Sequence, residues 1–253
     1  MLTRAEQDRL HVVLVNSRNP LNIGAVARAM SNFGFSRLRV VHPYAIAFQE
    51  ARSAVNAKLV LKEAQPYEEL PEALADCSLV VGTTAGSRRE LDEPLVSLEA
   101  AAETIRACLR SGSKVALLFG SEKVGLSNQD LSHCGLLLRI PTRPEHPSMN
   151  LGHAVAVVLY ELMRQTEPEV SGTTADSDTA LATSGEKERL TALVLEALSF
   201  QGLAHRARQS AIEAKVRRLV RRIALTPSDL HQWLGLLRQL LFKLRAHQRP
   251  PQE

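Results

Sequence analysis

Short β-branched runs alternate with segments of helical spacing over the first 165 residues of the chain. The run from His11 to Val15 is followed by helical spacing from Asn22 to Phe33, and the next run is Leu38 to Val41. We expect Asn22 to cap this helix and Gly34 to end it, since asparagine favours the N-cap and glycine the left-handed C′ position. A strand, a helix and a second strand in this order imply a parallel pair of strands.

The same alternation continues along the chain and predicts an α/β fold with a mostly parallel sheet flanked by helices. Further strands are predicted at Ser78 to Gly82, Lys114 to Phe119 and Leu136 to Ile140. Further helices are predicted at Glu50 to Lys58, Tyr67 to Ala75, Ser97 to Arg110 and Asn150 to Met163. A hydrophobic content of 45% and a charged content of 23% are ordinary for a globular protein.

The pattern breaks in residues 166–185, which are rich in Ser, Thr, Ala, Asp and Glu and lack apolar periodicity. This composition predicts a flexible linker between a first domain, residues 1–165, and a second domain, residues 186–253. Helices are predicted in the second domain at Glu186 to Phe200, Arg206 to Ile223 and Pro227 to Ala246. We therefore expect a small all-α C-terminal domain.

Positive charge is concentrated in the C-terminal part of the chain. From Glu186 onward there are 13 Lys and Arg against 6 Asp and Glu, whereas the first 185 residues hold 18 against 21. Helical spacing predicts a basic face in the middle helix, opposite an apolar one. The basic face holds Arg217, Arg218, Arg221 and Arg222, and the apolar face holds Ile212, Val216, Leu219, Val220 and Ile223. A polyanion such as RNA is the favoured partner, with a solvated surface or a membrane surface as alternatives.

Several common kinds of site are absent from the sequence. The three cysteines, Cys77, Cys108 and Cys134, show neither paired nor zinc-binding spacing. No secretory signal and no membrane-length apolar run occurs, so we expect a reduced, cytoplasmic protein without metal or membrane partner. The glycine-rich dinucleotide and P-loop motifs, the zinc-protease motif and the hydrolase nucleophile elbow are also missing.

Three chemically distinctive segments remain, each at the C-terminal end of a predicted strand, where open α/β sheets bind ligands. They are Asn19 to Met30, Leu117 to Asn128 and Ile140 to Leu151. In this order and spacing they resemble the three motifs of the SpoU/TrmH family of RNA ribose 2′-O-methyltransferases, of the SPOUT class. The resemblance spans residues 10 to 163. The basic helical tail further resembles the branch that methylates the anticodon-loop ribose at tRNA position 32.

The resemblance implies a C-terminal trefoil knot in the sheet domain, a homodimer, a tRNA substrate and S-adenosyl-L-methionine as cofactor. The implied cofactor-binding residues are Thr83, Thr84, Ala85, Gly120, Ile140, Pro141, Pro147, Ser148 and Met149. Backbone N–H and C=O groups at strand ends can hydrogen-bond adenine and ribose. Glycine at position 120 would permit a close approach of the cofactor.

The resemblance also implies a catalytic set, which is Asn22, Arg28, Glu122, Ser148 and Asn150. The reaction needs a ribose 2′-hydroxyl that loses its proton while it attacks the sulfonium methyl. Arginine is a poor base, so we expect Arg28 to hold the adjacent phosphate, while Ser148 and Asn150 orient the ribose. Glu122 would hold the loop or Arg28. Asn22 and Arg28 lie about 120° apart on a regular helix, so they share a face only if Asn22 lies in the cap.

The loop after Ala85 departs from the branch, which often has an arginine where this chain has Gly86, with Arg88 and Arg89 slightly later. RNA contacts in that loop are therefore expected to shift. Ser148 and Asn150 could also simply cap the following helix.

Two other functions stay open at this point. They are a ribosomal RNA substrate, and an RNA-binding protein of this fold without catalytic activity. An oxidoreductase with a nucleotide cofactor would need a glycine-rich phosphate loop that the sequence lacks.

Overall fold

A computed structural model of the protein describes residues 1–44, 58–85, 95–164, 181–200 and 209–247. The strands in this part are β1 (Leu10–Val15), β2 (Leu38–Val41), β3 (Gln65–Tyr67), β4 (Leu79–Thr83), β5 (Leu95–Ser97), β6 (Val115–Phe119) and β7 (Leu136–Arg139). The first helices are α1 (Arg4–Gln7), α2 (Pro20–Asn32), α3 (Lys58–Lys62), α4 (Leu70–Leu74) and α5 (Leu98–Arg110). They are followed by α6 (Asn128–Leu131), α7 (Leu151–Met163), α8 (Ser184–Ser199), α9 (Gln209–Arg222) and α10 (Pro227–His247).

The described strands form one parallel sheet in the order β3-β2-β1-β6-β4-β7-β5. Because all its neighbouring strands run in the same direction, their carboxyl ends lie at a single edge. The α/β architecture, a parallel sheet flanked by helices and followed by C-terminal helices, is confirmed. The strands β3 and β5 were not predicted, since three residues are too few for a periodic signal. The trefoil knot stays a prediction.

Both faces of the sheet are covered, which explains the continuous apolar runs in the sequence. All six residues of β1 are buried. Their side chains alternate between the faces, so Val12 and Leu14 join one apolar cluster while Val13 and Val15 join the other. The first cluster includes residues from α2, α5 and α7, and the second includes residues from α4 and α6.

The helix α2 begins earlier than the sequence pattern suggested. Asn19 is its N-cap, because the Asn19 Oδ1 accepts from the Leu21 N–H at 2.9 Å and Pro20 occupies the first turn. The prediction that Asn22 caps this helix is therefore wrong: a proline at the first helical position favours a start there. The predicted end is confirmed, since Gly34 follows the helix with φ of 81°.

The helix α7 begins where expected, with Asn150 as its N-cap. It lies very close to α2: a Cβ built on Gly152 would meet the Ala25 Cβ at 2.6 Å. One side of α7, including Val155 and Leu159, is buried in the core, whereas Tyr160 is 56% exposed. Within one chain the helix is therefore buried on one side and exposed on another.

The C-terminal helices pack against the sheet domain through the beginning of α8. Thr183 caps α8 in a reciprocal arrangement with Glu186, and this places the helix start two residues before the predicted Glu186. The Ser184 N–H donates to the Cys77 carbonyl at 2.7 Å, and the Gly185 N–H donates to the Ala75 carbonyl at 3.0 Å. Residues 181–185 of the predicted linker are thus in contact with the sheet domain, while 165–180 lie outside the described residues. The linker and the domain boundaries stay predictions.

The basic face of α9 differs from the prediction. Arg217 is buried and bonds Glu188 at 2.8 Å and the Ser132 hydroxyl at 3.2 Å, and the Arg221 side chain also contacts Glu188. The assignment of these two arginines to an outer face was wrong, because Glu188 of the neighbouring helix pairs with both of them and Glu213 of α9 pairs with Arg217.

On the opposite side of α9, Leu219 and Ile223 were predicted to be buried but are 52% and 49% exposed. Spacing gives the angle between two side chains on a helix, but which side faces the neighbouring helix depends on its partners.

The helix expected at Tyr67 to Ala75 is shorter, Leu70–Leu74, because Tyr67 belongs to β3. The helix expected at Glu50 to Lys58 falls outside the described residues except for Lys58, which begins α3. Among the described helices, none combines the length and apolar character needed to cross a membrane.

Candidate active site

The carboxyl ends of β4, β6 and β7 surround a cavity of about 350 Å³, a size typical of small-molecule sites. We call it the strand-end cavity. It is lined by Thr83, Thr84 and Ala85 after β4, by Phe119 to Leu126 after β6, by Leu138, Ile140, Thr142 and Pro147 to Met149 from β7 onward, and by Leu151 and Ala154 of α7. Every residue predicted to bind the cofactor is among them except Pro141, which lies just outside the lining.

Gly120 has a clear structural reason to be glycine. A Cβ at this position would lie 2.1 Å from the Gly125 carbonyl carbon and 2.2 Å from the Leu126 nitrogen. The chain folds back here in a tight hairpin, in which the Gly125 N–H donates to the Ser121 carbonyl at 2.8 Å and Gly125 has φ of 70°. The group that approaches Gly120 closely is therefore the backbone of the protein's own hairpin. This hairpin forms one wall of the cavity.

Glu122 lies at the tip of this hairpin and connects two of the three motifs. Its Oε1 accepts from the Ser17 hydroxyl at 2.9 Å and from the Asn22 amide at 3.0 Å. The Asn22 Oδ1 in turn accepts from the Asn150 amide at 3.0 Å. The chain Glu122–Asn22–Asn150 thus joins residues that are 100 and 128 positions apart, and we call it the amide network.

The surroundings of Glu122 favour its ionised form. Partial burial raises its pKa, but hydrogen bonds from Asn22 and Ser17, together with backbone N–H groups including that of Arg18, outweigh this and lower the pKa below the usual glutamate value. A carboxylate that accepts from Asn22 fixes that amide's orientation. The Asn22 Oδ1 then faces the Asn150 donor, so the whole network has one hydrogen-bond direction.

The two remaining predicted catalytic residues are outside this network. Ser148 is exposed and lines the strand-end cavity next to Met149. Arg28 is exposed on the outer side of α2, and its side chain makes no hydrogen bond or ion pair with the residues that the structure describes. Since Asn22 is inside the helix and not in its cap, the expected common face of Asn22 and Arg28 does not form.

Sequence reasoning missed two contributors to the site. Ser17 is buried and donates to Glu122, and its signal was its place just after β1, at the same edge as the other loops. Thr142 donates from its hydroxyl to the Pro147 carbonyl at 3.2 Å and so closes the proline-rich loop on itself. The positions of Gly86, Arg88 and Arg89 fall outside the described residues.

The arrangement suits a neutral, polar substrate group beside a preformed cavity. One ionised carboxylate and two side-chain amides can accept from and donate to hydroxyl groups without requiring a charged ligand. Within the described part of the chain, no cluster of three or more His, Cys, Asp or Glu could hold a metal ion.

Comparison with known proteins identifies the family. The model of the SpoU rRNA Methylase family matches residues 9–160, which include all three motifs and the strand-end cavity. The chain belongs to the SpoU methylase family. Membership confirms the predicted family and the predicted class of enzyme, an RNA methyltransferase.

Relatives of this SpoU methylase extend the similarity into the tail. The chain is 35% identical to the tRNA (cytidine/uridine/adenosine-2′-O-)-methyltransferase TrmJ of Pseudomonas aeruginosa, over 91% of the chain and 93% of that protein. It is 34% identical to the tRNA (cytidine/uridine-2′-O-)-methyltransferase TrmJ of Salmonella typhimurium, over 90% and 94%. The crystal structure of TrmJ from Z. mobilis matches with a TM-score of 0.77 at 29% identity, over 91% of this chain and 98% of that one.

Proposed function

We propose that this SpoU methylase transfers a methyl group from S-adenosyl-L-methionine to the 2′-hydroxyl of a tRNA ribose, with a pyrimidine at position 32 as the target. The observation that carries the proposal is the amide network at the rim of the strand-end cavity. It presents hydrogen-bonding groups suited to a ribose next to a cavity suited to an adenosine. The related TrmJ proteins, named as tRNA 2′-O-methyltransferases, support the substrate class.

The volume of the strand-end cavity and the backbone groups at its strand ends support this choice of cofactor. Thr83 to Ala85, Gly120, Ile140 and Pro147 to Met149 would hold it, largely through the backbone, and Pro141 would fix the direction of the chain behind Ile140. The absence of a side chain at Gly120 keeps the hairpin close and the cavity narrow. When bound, S-adenosyl-L-methionine supplies the electrophilic methyl group.

The protein's own residues would align the hydroxyl with that methyl. Asn22 and Asn150 are held by Glu122 in one orientation, so their free hydrogen-bonding positions can fix the ribose, with Ser148 contributing from the cavity wall. Alignment of this kind can contribute about 7–11 kcal/mol in ideal cases. A guanidinium stays protonated, so Arg28 is a poor acceptor for the proton of the hydroxyl. We therefore assign Arg28 to binding the phosphate next to the target ribose. That phosphate would itself help to take the proton.

In a homodimer, Arg28 would lie at the subunit interface. Arg28 lies on the same exposed side of α2 as Leu21 and Ala25, and Tyr160 of α7 is exposed nearby along the α2–α7 contact. A second subunit covering these apolar side chains would place Arg28 at the interface. We also propose that the tail contacts the body of the tRNA, and that the enzyme acts in the cytoplasm, where its substrate is found.

The proposal is tested by methylation of purified RNA. The protein is incubated with isotopically labelled S-adenosyl-L-methionine and unmodified tRNA or ribosomal RNA, and nuclease fragments are analysed by mass spectrometry. We expect a single labelled ribose in the anticodon loop of tRNA. Label only in ribosomal RNA would favour that rival substrate, and binding of tRNA without any label would favour a silent RNA-binding protein. Isothermal titration with S-adenosyl-L-methionine separates the last case, because a silent binding protein would release no heat.

A further inference from the structure

A second cavity adjoins the strand-end cavity on the other side of the Ser121–Gly125 hairpin. Its volume is about 720 Å³, and we call it the Arg18 cavity. Its walls include Asn16, Arg18, Asn19 and Pro20 from the loop between β1 and α2, and Glu122 and Lys123 from the hairpin. Glu122 lines both cavities. A nucleotide whose ribose sits at the amide network therefore has this cavity directly beside it.

The Arg18 cavity contains two cations that the protein itself does not use. The side chains of Arg18 and Lys123 are exposed and form no hydrogen bond or ion pair with any residue in the described ranges. Two carboxylates also line the cavity, but both are engaged internally. Glu122 accepts from Ser17 and Asn22, and Asp130 accepts from the Ser127 N–H at 2.8 Å and the Ser127 hydroxyl at 2.7 Å.

The backbone of the β1–α2 loop turns Arg18 towards this side of the molecule. Asn16, the residue after β1, has φ of 55°, a left-handed conformation that asparagine tolerates better than most residues. The Asn16 N–H still donates to the Val41 carbonyl at 3.1 Å, so the strand ends only there and the loop leaves the sheet at once. The hydroxyl of the neighbouring Ser17 donates to the Glu122 Oε1 at 2.9 Å, which fixes the loop against the hairpin.

We propose that the Arg18 cavity is a subsite for the RNA strand adjoining the methylated ribose, in which Arg18 and Lys123 bind its phosphodiester groups. The inference rests on the proposed function and adds a second contact region to it. Two unpaired cations around a polar cavity attract phosphate oxygens, because each charge-assisted contact releases counterions from the strand. Neither residue belongs to the amide network. Arg18 lines only the Arg18 cavity, whereas Lys123 also lines the strand-end cavity. Arg18 therefore acts on RNA binding and not on the methyl transfer itself.

The first test compares four single variants in full-length protein with full-length tRNA. Arg18→Ala is expected to raise KM for tRNA by about tenfold with little change in kcat. Lys123→Ala is expected to raise KM for tRNA by a similar factor. Both variants should also lower the slope of log(kcat/KM) against log salt by about 0.7 per removed contact. Arg110→Ala and Lys62→Ala are the matched controls, since both residues are exposed and precede strands, at the opposite edge of the sheet.

The second test replaces single phosphates of the substrate. tRNA is assembled by ligation so that one phosphate beside the target ribose becomes an uncharged methylphosphonate. At one such position we expect the methylphosphonate to raise KM for tRNA about tenfold with wild-type protein. With the Arg18→Ala variant KM should hardly change, because that variant has already lost the contact.

The subsite would be overturned if the losses caused by the methylphosphonate and by Arg18→Ala were additive at every position. It would also be overturned if the Arg18 and Lys123 variants behaved like their controls. Absence of methylation by wild-type protein would instead contradict the proposed function, and an unchanged melting temperature shows that each variant is folded.

Discussion

Asn150 donates a hydrogen bond to Asn22 across two helices, with 3.0 Å between the Asn150 Nδ2 and the Asn22 Oδ1. The same side chain also caps α7, since its Oδ1 accepts from the Gly152 and His153 N–H groups. One residue thus begins a core helix and orients a candidate catalytic amide. The two roles use different atoms of the side chain, and substitution can separate them.

Replacing Asn150 with aspartate keeps the cap but removes the donor to Asn22. We expect Asn150→Asp to change the free energy of unfolding by less than about 0.5 kcal/mol and to lower kcat at least tenfold, because the amide network loses its direction. Asn150→Ala should lower kcat similarly and also cost about 1 kcal/mol of stability. Urea unfolding and methyl-transfer kinetics on both variants check this, and full activity of Asn150→Asp would contradict an orienting role.

Arg28 is expected to matter for catalysis and not for the fold. Its side chain is exposed and has no bonded partner among the residues described, so Arg28→Ala should leave the melting temperature and S-adenosyl-L-methionine affinity near normal. Loss of a phosphate-binding cation at the reacting ribose should lower kcat/KM by about 100-fold or more. Calorimetry and single-turnover assays measure the two effects. An equal loss of cofactor binding and activity would argue against the role assigned to Arg28.

A methyl group at position 120 should disrupt the strand-end cavity. In Gly120→Ala the new Cβ would collide with the backbone of Gly125 and Leu126, so the hairpin that carries Glu122 must move. We predict at least a tenfold weaker affinity for S-adenosyl-L-methionine by isothermal titration, consistent with a loss of about 1.4 kcal/mol or more. Gly135→Ala is the control, because a Cβ there meets nothing within 4 Å. Similar behaviour of the two variants would disprove the steric explanation.

Two arginines of α9 are predicted to have opposite effects. Arg217→Ala leaves the carboxylate of Glu188 without its main partner and should cost about 3 kcal/mol of stability. Arg222→Ala, at an exposed position, should cost much less stability but weaken tRNA binding. Chemical denaturation and filter binding at two salt concentrations distinguish them. Unchanged tRNA affinity of the Arg222 variant would count against the outer side of α9 as an RNA contact.

Acid should destabilise the protein through a buried histidine. Burial and the neighbouring Arg217 lower the pKa of His133 to about 3, against a usual value near 6.5. Between these values the unfolded chain binds a proton that the folded protein excludes, so stability is complete above about pH 6.5 and falls as the pH drops, by about 1.4 kcal/mol per pH unit.

His11 adds to this acid dependence, because burial lowers its pKa to about 4. In urea unfolding between pH 7.5 and 5, the free energy of unfolding should therefore decline less steeply for His133→Asn than for the wild-type protein. The control His146→Asn should decline like the wild-type protein, because His146 is exposed. Parallel declines in all three proteins would refute the assignment to His133.

The sequence predicted the sheet well where runs were long and apolar. The six-residue run of β1 is buried on both faces, and such a run has few alternatives. The three-residue strands β3 and β5 were missed, because pairing with β2 and β7 creates them and local periodicity does not. Asn19 and Asn22 are equally good caps by residue type, and Pro20 decided between them.

The site was predicted less completely than the fold. The resemblance gave the residues of the amide network, but the order of donors and acceptors in it depends on three loops meeting in space. Arg217 and Arg221 show the limit of charge patterning, since the carboxylate that both of them contact, Glu188, lies 29 and 33 residues away in the chain. A count of basic residues cannot separate an internal ion pair from a surface that binds RNA.

The contact between Ala25 and Gly152 has a consequence for how this enzyme can change. Each residue lies within one helical turn of a network amide, Asn22 or Asn150, so the spacing of those amides is inherited from the closest approach of the two helix backbones. A single additional carbon at position 152 would widen that gap and pull the paired amides apart. Mutations at this helix contact are therefore coupled to turnover, and one added methyl group can be as damaging as the loss of a reactive side chain.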